Sequence, residues 1–489
     1  MRSRRLPLVA APFIFLLVLA SVYLGRDRLS WFPSSQVQPV SHKQLTQQVV
    51  GNGDVLSSGN ITEYLEAIYN VKPDSRLTPR LQCPAINTTR YKTLKYKKKS
   101  SGRPAPSSPP RPPRPASHSS ASRSSPSSSS SPVSVSKLLA QSKSSSAPSS
   151  SSSKPSATNA PRALIPRPSS KEIRYFFALD LRNCVGLLPR LLGSIIEAMQ
   201  FLGPRSCALS IVEGDSPDGT GDVLAALRPS LEALGVTYIY NSSTVKSAEG
   251  DRIAKLAKLR NMPLEPIFEQ SIPIADDASV IFLNDVAACA EDILELILQK
   301  QELNADMTCA MDWTYPGDDA TFYDVWIARG INGDSFFHIP ANGNWGEAHN
   351  LFWNAPDTRA RFDELRPFQV FACWNGATVF SAKPIVEGLH FRRNYHKTDE
   401  CFQGEPVLFC KDMWWRGYGK IAVVPSVNLE YTDKNGKRLK EDKGFVSDIV
   451  ADQDPQDDLI DWQGPPDTIR CMPTWKDQFF QRWNKSLTD

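Results

Sequence analysis

Beginning at Arg174, the chain alternates short runs of β-branched and aromatic residues with segments whose apolar residues recur at helical spacing. This alternation restricts the fold to an α/β layer with a largely parallel sheet. The spacing predicts strands over 175–181, 208–213, 236–240, 279–283 and 307–311. It predicts helices over 187–201, 222–234, 251–269 and 291–301, the last opening with acidic residues as a helix N-terminus prefers. In wound sheets of this kind ligands bind beyond the carboxyl ends of strands, so chemistry is sought in the residues just after each strand.

The composition changes near residue 170. Up to that point the 489-residue chain holds 24 Lys and Arg against 5 Asp and Glu, and beyond it 32 against 47, so the net charge of +4 is a cancellation. The basic residues sit among Ser and Pro without interleaved aromatics, which argues against nucleic acid as a partner. An acidic region that meets an anionic ligand would more naturally use a divalent cation as a bridge.

Residues 6–24 form a charge-free apolar run, which as a helix nearly spans a hydrocarbon core of about 30 Å. Arg2, Arg4 and Arg5 precede it, so residues 1–5 read as a cytoplasmic tail, 6–24 as a single transmembrane anchor, and the remainder as lumenal. The run exceeds the h-region of a cleaved signal peptide, and the chain closes in SLTD without an ER-retention tetrapeptide, so a Golgi membrane is expected. Sequons at Asn60, Asn87, Asn241 and Asn484 fit a lumenal location.

Residues 25–170 read as a lumenal stem, disordered from about residue 100, where Ser and Pro leave nothing to bury. Within it, 62–93 carries the brief helical pattern EYLEAIY, which either docks on the following domain or belongs to the stem. Residues 171–489 read as one wound domain. The nine cysteines show no CxxC pair, which argues against structural zinc; Cys401 with Cys410 is one local bridge to consider, and burial as small apolar side chains is the equal alternative.

Three strand-end turns draw attention. The second strand runs into EGDSPDGT, a polar turn carrying Glu213, Asp215 and Asp218 that reads equally as a ligand loop or a capped helix start. The fourth ends in VIFLNDV, delivering Asp285 from an apolar run. That residue is either a ligand for Mg²⁺ or Mn²⁺ or the N-cap of the next helix. The fifth ends in AMDW, where Asp312 either acts on a substrate or pairs with an arginine. Further on, FYDVW with Asp324 and CWNGA with Trp374 and Asn375 combine aromatics, a carboxylate and an amide, a composition that suits sugar recognition as well as a core. The six histidines include no i, i+4 pair.

Taken in order, VEGDSPDGT, FLNDV, AMDW, FYDVW, CWNGATVFSA and ECFQGEPVLFCKDMW resemble the fungal cryptococcal mannosyltransferase family, also called the capsule-associated protein family, over about residues 173–432. The resemblance implies a GT-A fold and retaining transfer of mannose from GDP-mannose to a mannoside or polysaccharide acceptor, forming an α-1,3 linkage with Mn²⁺ or Mg²⁺. It places Glu213, Asp215 and Asp218 in the donor loop, Asp285 in the metal motif, and Asp312, Asp324, Trp374 and Asn375 beside donor sugar or acceptor. Glu405 and Asp412 fall in the family's C-terminal acidic motif as candidates for the catalytic carboxylate, with Asp312. The chain departs from the family pattern at Gly330, where an acidic residue is usual, and at Gly404 and Pro406, which flank the retained Glu405. Two other readings stand beside it: a transferase using another nucleotide sugar, and a non-catalytic polysaccharide or capsule assembly factor.

Overall fold

A computed structural model describes residues 51–69, 77, 81–95 and 172–487. The apolar run at 6–24, the Ser/Pro-rich segment and the cytoplasmic tail lie outside the described residues. Among the described residues no helix is long and apolar enough to cross a membrane. The chain divides into two units, and the one lying between Lys97 and Ser169 falls wholly outside the described residues.

The other unit is built on a mixed sheet. Its strands are β1 (Ile173–Leu181), β2 (Cys207–Glu213), β3 (Thr237–Ser242), β4 (Ile274–Leu283), β5 (Met307–Thr314), β6 (Thr321–Phe322), β7 (Arg329–Gly330), β8 (Phe368–Ala372), β9 (Ala377–Ser381) and β10 (Ile421–Leu429). They lie in the order β3-β2-β1-β4-β9-β5-β10-β8-β7, with β6 paired to β5. The run β3-β2-β1-β4 is parallel throughout, and β5 and β10 are parallel to each other. β9 inserts antiparallel between β4 and β5. Strands such as CALSIVE, buried at every position, are the continuous apolar runs that a sheet covered on both faces requires.

Helix α1 (Ser58–Tyr69) belongs to the N-terminal segment; α2 (Leu188–Leu202), α3 (Thr220–Ala226), α4 (Arg252–Asn261) and α5 (Ala290–Glu302) follow the first strands, and α6 (Glu405–Trp415) and α7 (Asp433–Lys443) the later ones. α5 is buried from Ala290 to Lys300, including the charged residues Glu291, Asp292 and Glu295. Those charges are neutralised from outside the helix: Arg90 pairs with Glu295 at 2.6 Å, and Lys440 of α7 pairs with Asp292 at 2.7 Å.

Of the stretch 25–170 read as a stem, the described residues 51–69 and 81–95 belong with the domain. Ile61, Leu65 and Ile68 of α1 are at most 3 % exposed and belong to one core cluster with Leu188, Leu191 and Ile195 of α2. At about 1.5–3 kcal/mol for each fully buried aliphatic side chain, this face alone holds the segment in place. The Asp222 carboxylate accepts three backbone N–H bonds, from Asp54, Val55 and Leu56, at 2.7–2.8 Å. A disulfide joins Cys83 to Cys289. The helical pattern EYLEAIY therefore docks on the domain.

The Cys401–Cys410 bridge is also corrected: Cys401 pairs with Cys471, Cys309 with Cys373, and Cys410 is a buried free thiol on α6.

Candidate active site

At the carboxyl ends of β1 and β4, a cleft of about 580 Å³ opens between α4, the segment after β6 and the residues leading into α6. Its centre is Arg260, on the last turn of α4. The guanidinium is bonded to Glu405 at 2.8 Å and lies 3.4 Å from the Asn284 side-chain oxygen and 3.9 Å from Asp180. It stacks 4.6 Å over the Trp374 ring. Trp374 in turn donates its indole N–H to Asn284 at 3.1 Å. Asn284 is the first residue past β4, so the amide before Asp285 locks the floor of the cleft. Arg252, at the start of α4, also lines the cleft.

Glu405 opens α6 directly after Gly404. A Cβ at Gly404 would lie 2.3 Å from the Cδ1 of Ile327, so a side chain there would require the Ile327 side chain to move. Pro406 occupies the first turn of α6, where a missing N–H breaks no helical bond.

Two carboxylates face each other here, Asp324 in the cleft lining and Asp312 behind it. Asp312, at the end of β5, is fully buried and accepts a 2.5 Å hydrogen bond from the Tyr431 hydroxyl, while its other oxygen has no partner. Asp324 accepts the backbone N–H of Asn375 at 2.9 Å. Burial, then mutual repulsion, raises Asp312 well above the ordinary carboxylate range, and burial likewise raises Asp324. Asn375 (φ 52°) and Gly376 (φ 79°) form the left-handed turn that brings this backbone in, and the Asn375 amide is fixed on the Ala310 carbonyl at 2.9 Å. Burial also raises Tyr431, whose ring lines the cleft.

The residues singled out from sequence divide accordingly. Asp324, Trp374 and Glu405 line the cleft, and Asp285 stands at its β4 edge. Asp285 does not cap the following helix, which starts at Ala290 with Cys289 at its N-cap. Burial raises its carboxyl, against the pull of its own backbone N–H and of Arg260. Asp312 and Asn375 sit behind the cleft. Glu213 and Asp218 are turned onto their own loop: Glu213 accepts the N–H groups of Asp215 and Ser216, and Asp218 those of Val185 and Thr220. Asp218 is held below the usual range by the Thr220 hydroxyl and these N–H groups, which outweigh its burial. Asp215 is exposed, at φ 55°.

Asp412 is not brought to the cleft; it makes a two-pronged pair with Arg392 at 2.6 and 2.7 Å. Arg260, Arg252, Tyr431 and Asp180 were not anticipated. Asp180 carried the signal used for Asp285, a carboxylate late in an apolar strand. Its carboxyl is pushed up to about 6, by burial against the pull of Arg260.

The family model described as cryptococcal mannosyltransferase 1 matches residues 174–412. An alpha-1,3-mannosyltransferase, CMT1, of Cryptococcus neoformans var. neoformans serotype D is 36% identical over 326 residues, covering 63% of this chain and 70% of the relative. The chain belongs to the cryptococcal mannosyltransferase family. Arg260, Asp285, Asp312, Asp324 and Glu405 all fall inside the matched region of this family member. Among solved structures, S. aureus TarS is similar at 12% identity over 58% of this chain and 68% of that one, with a TM-score of 0.31. A Pyrobaculum calidifontis mannosyltransferase, PcManGT, in complex with GDP-Man and Mn²⁺, is similar at 10% identity over 53% and 57%, with a TM-score of 0.32.

No group of three or more His, Cys, Asp or Glu side chains could hold a metal ion among the described residues. A carboxylate two residues past β4, Asp285, nevertheless suits the mode in which Mg²⁺ or Mn²⁺ takes one or two protein carboxylates and completes its shell with substrate phosphates and water. The donor set fits a cation that arrives with a diphosphate and does not fit an all-protein cage.

Proposed function

We propose that the cleft moves mannose from GDP-mannose to a mannoside or polysaccharide acceptor, forming an α-1,3 linkage with retention, and that Mn²⁺ or Mg²⁺ assists. Family membership makes the chain a glycosyltransferase of the mannosyltransferase class. The observation carrying the finer reading is the 36% identity to an α-1,3-mannosyltransferase, joined to a cleft at the strand ends where a wound sheet binds its ligand. A GT-A arrangement is supported by the parallel run β3-β2-β1-β4 on which that cleft is built.

The residues divide the work. Arg260 and Arg252 offset the charge of the diphosphate as it leaves. Asp285 would hold the cation, which when bound neutralises the developing charge on the departing nucleotide. Glu405, fixed by Arg260, and Asp324, fixed by the Asn375 N–H, present carboxylate oxygens to the positive charge that develops on the sugar carbon. Trp374 closes the apolar floor.

A Golgi membrane with this unit on the lumenal side is proposed with it. Three disulfides suit an oxidising compartment. Asn60, Asn87 and Asn241 are exposed, as glycosylated asparagines must be.

The test is transfer by the purified full chain with GDP-mannose, Mn²⁺ and an α-mannoside, beside Asp285→Ala. Metal-dependent product of α-1,3 linkage, absent in the variant, is expected. Turnover with another nucleotide sugar alone would overturn the donor assignment.

A further inference from the structure

One wall of the cleft owes nothing to the donor residues. It is formed by Trp326 after β6, by Trp345, by Phe402 and Gln403 before α6, and by Pro473 near the C-terminus. Trp326 packs at 4.4 Å on Trp475, which fixes its ring. Pro473 and Trp475 lie beyond the residues matched by the family model, and the Cys401–Cys471 disulfide clips their segment beside Phe402. Phe402 remains 44% exposed at the lip. Gln403 is 3% exposed, and its side-chain oxygen has no hydrogen-bond partner.

That orphaned acceptor is the informative atom. A buried polar group without a partner is destabilising, and native proteins rarely leave one unless a ligand completes it. A hydroxyl donor next to flat aromatic faces is what a pyranose ring offers, and such pockets combine apolar walls with a few placed polar groups. We infer that this wall is an acceptor-glycan subsite: it holds the sugar next to the one that receives mannose. Trp326 and Phe402 pack on its ring, and Gln403 accepts one of its hydroxyls. The inference rests on the transfer reading above. It adds that the enzyme recognises at least two sugars, and that the second is read by residues the C-terminal segment holds in place.

The test uses the purified full chain and α-linked mannobiose as the probe. Phe402→Ala trims an exposed ring, and Gln403→Leu replaces an amide whose oxygen is already unpartnered, so neither removes a stabilising bond. Titration calorimetry should show mannobiose affinity falling at least tenfold in each variant, with the Tm of Gln403→Leu unchanged or higher. In transfer assays the wild-type preference for mannobiose over methyl α-mannoside should disappear, while KM for GDP-mannose shifts less than twofold. Unchanged mannobiose affinity, or an equal rise in KM for GDP-mannose, overturns the subsite. Mannobiose binding that is lost in the variants, without transfer from GDP-mannose by the wild type, keeps the subsite and removes the donor assignment instead.

Discussion

Arg260→Met separates the structural from the chemical role of the cleft's central cation. The substitution keeps the aliphatic length but strands Glu405, whose side chain is 3% exposed, beside a partner that itself was only 12% exposed. Removing one member of a buried pair leaves an uncompensated charge, at a cost of about 3–5 kcal/mol. Loss of the contact with Trp374 removes about 0.5–2 kcal/mol of cation–π attraction within that range. For a cooperative unit of roughly 350 residues the unfolding entropy is about 0.7 kcal/mol/K, so the loss corresponds to a fall in Tm of roughly 4–7 °C. Adding Glu405→Gln removes the stranded charge, and the double variant should recover about 2 kcal/mol or more relative to Arg260→Met. Asp180, 3.9 Å away, keeps the recovery incomplete. Urea denaturation of the four members of the cycle measures the coupling, and release of GDP from GDP-mannose measures the chemistry. Stability should return in the double variant, and turnover should not. If Arg260→Met and the double variant unfold at the same urea concentration, the two groups are not coupled and the central pair is misread.

Asp180→Asn tests burial at the β1 end. A carboxyl raised to about 6 from 3.8 favours the fold fully below pH 3.8 and loses that contribution as the pH rises through 6, so the variant should gain about 2–3 kcal/mol at pH 7 and nothing at pH 3.5 in urea titrations. An unchanged slope between pH 4 and 6 would sink this. Asp412→Ala should lose about 2–4 kcal/mol by breaking the pair with Arg392, yet keep kcat/KM within threefold below its melting temperature; a hundredfold loss would return Asp412 to the chemistry. Cys83→Ser should lower stability by about 2–4 kcal/mol, visible as lower Tm and earlier proteolysis near residue 95.

Strands β1, β2, β4 and β5 were legible because each is largely a buried apolar run, the pattern their burial requires. β9 was not, because CWNGATVFSA shows aromatics and an amide ahead of a short strand and reads as chemistry. Asp285 drew attention as an acid with no packing use after a buried strand, and Glu405 only through the family's C-terminal acidic motif. Asp412 misled: seven residues past Glu405 are two helical turns, about 10 Å along the axis, far enough to reach a different cation. Arg260 was hidden for the opposite reason. A basic residue in the last turn of a helix is ordinary, and nothing local shows that this one turns inward. The disulfides join positions 64 to 206 residues apart, a distance over which spacing says nothing.

The docking of the N-terminal segment changes what the Ser/Pro-rich stretch is topologically. Leu94 and Tyr175 are joined by a 2.7 Å hydrogen bond from the tyrosine hydroxyl to the Leu94 carbonyl, so the chain departs and returns at the same place on one unit. The described chain before and after residues 97–169 therefore meets at neighbouring points of one unit, with α1 and Cys83 upstream. Closure entropy grows only as the logarithm of length, by about 0.6 kcal/mol per doubling. Such an insertion can lengthen or shorten at little expense to the unit that carries the cleft, so its composition is not bound by that fold.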